Sequence, residues 1–179
     1  MTDWFRTRTE RVLLLTLPAL LAACAAPVAP RTESARLGQP VANHERLNVF
    51  PDGRGLPPGH GNVAGGRELF ARHCAACHGD AGQGGTAEEL AGAKRPLNAS
   101  SPDKTIGSYW PYATTLFDFI RRAKPMNAPG TLSADEVYAL CAWLLHVNGV
   151  IDGDAVLDAQ TLPAIPMPNR DGFLRIEAP

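Results

Sequence analysis

The sequence predicts a mainly α-helical fold in which one domain, residues 62–148, is preceded by an extended strap and followed by an extended arm. Three observations carry this. Apolar residues recur at helical spacing in three stretches between Val63 and Val147. Prolines crowd the chain on both sides, with Pro27, Pro30, Pro40, Pro51, Pro57 and Pro58 before and Pro163, Pro166 and Pro168 after, and these rule out long helices there. The 179 residues, 45% of them hydrophobic, suffice for one modest domain with extensions rather than for two.

Residues 1–23 read as a signal peptide. Arg6, Arg8 and Arg11 form a positive leader, and Val12 to Ala23 is an apolar run of about a dozen residues, too short to span a hydrocarbon layer of about 30 Å. The segment ends Leu21-Ala22-Ala23-Cys24, which resembles the lipobox of bacterial lipoproteins, whose cysteine becomes the lipid-modified first residue. That resemblance implies a membrane-anchored protein facing the periplasm; with an incidental cysteine, the product is a soluble periplasmic one. Residues 25–61 follow as linker and strap, with Val49-Phe50-Pro51 and Leu56-Pro57-Pro58 apolar enough to lie on the domain.

A first helix is expected from Asn62, a capping residue, onward through Cys74 and Cys77, with Val63, Gly66, Leu69, Phe70 and His73 along one side. Gly79 to Gly85 holds four glycines and is a loop, and a weak helical patch follows at Thr86 to Ala91. The second clear helix spans Tyr112 to Ala123 with Leu116, Phe117 and Ile120 inward, and Pro125 stops it. The third, Ala134 to Val147, is announced by Ser133 and Glu136 at capping-box spacing and closed by Gly149. Its stripe is Val137, Leu140, Cys141, Leu144 and Leu145. Residues 149–179 form the arm. Its apolar residues either wrap the domain, covering part of its central crevice, or dock Met167 to Leu174 on a partner protein.

The chemistry sits in Cys74-Ala75-Ala76-Cys77-His78. This is the CxxCH pattern of covalent haem c attachment: two thiols on neighbouring turns add to the two vinyl groups, and the histidine that follows lies under the iron as proximal ligand. A zinc site would need a second CxxC or paired histidines, and a thiol oxidoreductase would need a strand-helix frame around the motif; neither pattern is visible. The net charge of -1, with no basic run, lacks the footprint for nucleic acid.

Residues 62–148 resemble a class I cytochrome c domain, with Gly66 and Phe70 on the first helix and Leu140 and Trp143 on the last at the positions where that family crosses its terminal helices. A narrower resemblance runs through residues 50–57, Ile106-Gly107-Ser108-Tyr109-Trp110-Pro111-Tyr112 and Asn169-Arg170-Asp171-Gly172-Phe173, which look like the cytochrome subunits of bacterial sulfite dehydrogenase and the related Sox sulfur dehydrogenase. It implies an electron carrier, not itself an enzyme, that receives electrons from a molybdenum-cofactor subunit on another chain. The class also places a methionine ligand in the loop before the last helix, which falls on Met126; Met167, Lys124 and a five-coordinate iron are the alternatives. Relatives often read Ala-Met-Pro where this chain reads Ala123-Lys124-Pro125. The rival functions are a general envelope electron carrier serving another dehydrogenase or oxidase, a five-coordinate haem sensor, and a docking subunit.

The remaining candidates read as structural. His44, His60, His73 and His146 have no assigned role, and Cys141 is a buried, inert thiol. Arg121 and Arg122 are surface residues or partners of haem propionates. Tyr109 and Trp110 pack either at the haem edge or under the strap.

Overall fold

The computed structural model describes residues 48–174; the signal segment, Cys24, His44, most of the linker and residues 175–179 lie outside them. Its elements in order are β1 (His60–Asn62), α1 (Val63–His73), α2 (Ala75–His78), α3 (Ile106–Tyr109), α4 (Ala113–Ala123), α5 (Ala134–Val147), β2 (Val156–Asp158) and a single 3-10 turn, Leu162–Ala164. Helix dominates, as the sequence predicts.

Helix α5 is the centre of the fold, and its register follows from its first turn. Ser133 Oγ accepts from the Glu136 amide while the Glu136 carboxylate accepts from the Ser133 amide, so each satisfies an orphan donor of the other. Both α1 and α4 pack on α5. The α1 crossing is close because Gly66 has no side chain: a Cβ there would stand 1.9 Å from the Ala139 carbonyl oxygen and 2.8 Å from the Trp143 Cβ. Phe70, Phe117 and Tyr138 fill the remainder, Phe117 and Tyr138 meeting at 4.5 Å between ring centroids.

Asn62 caps α1 as expected, its side chain accepting from the Gly65 amide. The helix does not run on through the cysteines. It stops at His73, Cys74 leaves helical geometry, and α2 starts again as a separate turn. The helical patch expected at residues 86–91 is also absent. That segment's amides bond backward instead, Ala87 to the Cys77 carbonyl and Leu90 and Ala91 to that of Gly82, which folds the loop against the CxxCH turn. Sequence reading missed α3, which is capped by the Thr105 and Ser108 side chains.

The strap and arm are structural. Val49 and Leu56 pack on the core, Tyr138 donates its hydroxyl to the Pro57 carbonyl (2.9 Å), and the His60 amide donates to Asp135 (2.8 Å). Strand β1 then pairs antiparallel with β2 of the arm, Gly61 opposite Leu157. Leu157, Leu162 and Met167 are buried in the core, and Asn169 donates to the Tyr109 carbonyl (2.7 Å). The arm therefore wraps its own domain through Asn169, with Arg170 over the Tyr112 ring and a half-exposed Phe173 edge-on to Tyr109, and Leu174 is exposed.

The loop between α2 and α3 is pinned by one buried carboxylate. Asp103 accepts from the Lys94 and Arg95 amides (2.9 Å each) and pairs with the Arg95 guanidinium. The Arg95 side chain first, then the two amides, lower its pKa from 3.8 to about 2. A carboxyl whose folded pKa lies below its unfolded one stabilises fully above the unfolded value and loses that contribution as pH falls to the folded one. Thermal melts should thus show an acid-dependent loss between those two values in the native protein. Asp103→Asn should lower the melting temperature at neutral pH and flatten that dependence; an unchanged slope would show that the carboxylate does not anchor the loop.

Candidate functional site

Because α1 and α4 both lean on α5, a cleft opens between them, with a cavity of about 300 Å³. Phe70, His73, Cys74 and His78 line it from the α1–α2 side, Leu116, Phe119, Ile120, Lys124 and Pro125 from the α4 side, and Leu140 and Leu144 from α5. Leu90, Lys104, Ile106 and Trp110 complete the wall. The surface is largely apolar with a few convergent polar groups, the character of a cofactor site.

His78 is held in one orientation. Its Nδ1 lies 2.8 Å from the Glu88 carbonyl oxygen; a carbonyl only accepts, so Nδ1 carries the proton and Nε2 keeps its lone pair. The glycine loop makes this bond possible. Gly79, Gly82 and Gly84 all have positive φ, and the turn they form brings residues 87–91 back beside the motif. Asn148, at the end of α5, fixes the neighbouring wall: its side chain donates to the Leu90 and Leu144 carbonyls and accepts from the Gly107 amide. No motif in the sequence marked Asn148.

The two thiols differ. Cys74 lies half-buried in the cavity wall, where burial pushes its pKa up, whereas Cys77 is exposed and lies outside the lining. Cys141 is fully buried, with its pKa pushed up by burial, in keeping with an inert core thiol. Trp110 lines the cavity with its ring edge-on to Phe119 (5.9 Å), while Tyr109 turns to Phe173 of the arm (5.3 Å). That separates two residues the sequence left together.

The candidate donors on the far side differ in exposure and placement. Met126 is 81% exposed and does not line the cavity; Met167 is 3% exposed and belongs to the core packing of the arm. Lys124 is the residue of that turn that lines it. Arg122 pairs with Asp118, which also accepts from the Val49 amide, whereas Arg121 keeps a buried Nη1 with no partner among the described residues. Of the other histidines, His60 is exposed and His146 donates to the Ile151 carbonyl (3.2 Å).

Residues 63–148 match the family described as cytochrome c. A chain in the crystal structure of the sulfane dehydrogenase SoxCD from Paracoccus pantotrophus is 41% identical, with a TM-score of 0.71, covering 76% of this chain and 69% of that one. The protein belongs to the cytochrome c family. It is a haem-binding electron-transfer protein, and its cofactor is covalently bound haem c. No curated protein sequence matches the chain. The cytochrome's cleft suits the cofactor on its own evidence: an apolar cavity, a thiol in its wall and a histidine with its Nε2 lone pair unengaged all converge there.

Proposed function

We propose that this cytochrome is the electron-accepting subunit of a dehydrogenase for sulfite or another inorganic sulfur compound, taking electrons from a molybdenum-cofactor subunit on a separate chain. The likeness to the sulfane dehydrogenase chain carries the reading, because at 41% identity it covers 76% of this chain, more than the matched residues 63–148 alone. Cys74 and Cys77 hold the haem through thioether bonds, and His78 binds the iron through Nε2, kept in register by the Glu88 carbonyl. The haem supplies reversible one-electron storage. Phe70, Leu90, Ile106, Leu116 and Leu140 exclude water from it, which disfavours the extra charge of the ferric state. A second donor to the iron would come from the turn after α4, where the sequence offers Met126 and the cavity wall presents Lys124.

The leader and Cys24 support a place in the bacterial envelope, with the chain held by lipid on the periplasmic side. Among the described residues no helix is long and apolar enough to cross a membrane. The deciding experiment is purification of the tagged full chain from its native host. Molybdenum should co-elute with iron in comparable amounts, and sulfite or a sulfane-sulfur substrate should reduce the haem. Iron without molybdenum, or a haem that stays ferric with every sulfur substrate, overturns the assignment.

A further inference from the structure

We propose that Lys124, through Nζ, is the second axial ligand of the haem iron. The inference rests on the haem site described above and deepens it by naming the ligand chemistry.

Donors reach the cavity from two sides. His78 approaches from the α1–α2 side. Helix α4 ends at Ala123, and Lys124, its C-cap, has extended backbone (φ -127°, ψ 155°), so the chain leaves the helix along the cleft and the lysine joins its wall. Two residues on, Met126 is 81% exposed and lines nothing there. Met167 is packed in the core away from the lining. Among the described residues, therefore, no thioether lines the cavity, and an amine does.

That amine's contact is with the cavity wall itself: its Nζ lies 5.2 Å from the centre of the Phe119 ring, which lines the cavity. Among the described residues no carboxylate or carbonyl takes a hydrogen bond from it. Coordination would engage it: Nζ releases its proton to solvent and shares its lone pair with the iron, with no change in the iron's oxidation state. The other amine in the wall, Lys104, makes an equal ring contact at 5.2 Å, but with Tyr109, which lies outside the lining, and His73 precedes the first attachment cysteine on the wall that already supplies His78.

The consequence is electronic. A thioether is a soft donor that favours ferrous iron and raises the potential, whereas an amine is a harder donor that favours ferric iron. Lys124 would therefore set this carrier lower on the redox scale than a histidine–methionine haem in the same cleft.

The test uses the full chain produced with haem attachment, as wild type, Met126→Leu, Lys124→Met and Lys124→Ala. Covalent haem is first verified by staining after denaturing electrophoresis; its absence from the wild type would sink the haem-site reading itself, separately from the ligand. With haem present, the ferric wild type should be low-spin, should lack the far-red thioether-to-iron absorption, and should be unaltered by Met126→Leu. Lys124→Met should create that absorption and shift the midpoint potential upward, and Lys124→Ala should open the site to rapid carbon monoxide binding. The proposal is overturned if the wild type shows the far-red band and Met126→Leu abolishes it. It is equally overturned if the wild type is high-spin and binds carbon monoxide as fast as Lys124→Ala does.

Discussion

Gly66→Val should leave almost no folded protein, and Gly66→Ala should lower the melting temperature by many degrees. In an ordinary helix, glycine to alanine gains about 1 kcal/mol of propensity. Here the added Cβ meets a backbone carbonyl at 1.9 Å, an atom that cannot move unless α1 and α5 separate. Overpacking of that kind costs about 3 kcal/mol or more, a large share of a total stability of roughly 5–15 kcal/mol. The clash wins over the propensity gain. Gly65→Ala is the control: its Cβ would meet only the Asn62 side chain at 3.3 Å and the Ala139 Cβ at 3.9 Å, so its melting point should stay near wild type. Equal losses at the two positions, followed by circular dichroism of the holoprotein, would show that the close crossing is not what the fold depends on.

Cys77→Ala should reduce the yield of folded holoprotein by more than about tenfold, although Cys77 is exposed and contributes nothing to the core. The reason lies in the cavity that the cofactor must fill. Left empty, about 300 Å³ at roughly 24 cal/mol per Å³ amounts to a penalty on the order of 7 kcal/mol, an upper bound because the mouth admits water. Even half of that would consume most of a small domain's stability. With only the Cys74 link left to form, fewer chains acquire and keep haem, and those without it lack the body the helices are built around. Haem staining and soluble yield measure the effect, and a cooperatively folding red variant at normal yield would refute it.

Local chemistry written in single residues was legible in the sequence. Asn62, Ser133 and Glu136 cap their helices as their types and spacing demand, and Ala134–Val147 has the bounds its capping box implied. Cys74 and His78 of the CxxCH motif likewise fall on the wall of an apolar cleft. Features set by distant partners were not legible. The turn at Cys74 breaks a helix whose pattern continues through it, and Thr86 to Ala91 trades a weak helical tendency for bonds to Gly82 and Cys77. Helix α3 was hidden because its cap uses Ser108 where the familiar pattern has Glu or Gln. The three-residue strands are too short for any periodicity to mark, and their partners lie about a hundred residues apart. The family resemblance pointed to a methionine in the turn after α4; the direction of the chain at Lys124 brings the lysine of that turn into the lining of the cleft.

The pairing of β1 with β2, alongside the crossing of α1 on α5, means that the beginning and end of the described chain close on each other. Contacts so remote in sequence form late, because a long loop must be ordered before they repay it. During synthesis the CxxCH turn is thus finished while its eventual cover, α5, has yet to be made. The cysteines remain reachable on an open chain through that interval, and the cleft that later shields the metal does not obstruct the reaction that installs it. Assembly order thereby reconciles two opposed demands, access for covalent attachment and seclusion for electron storage, in one short polypeptide.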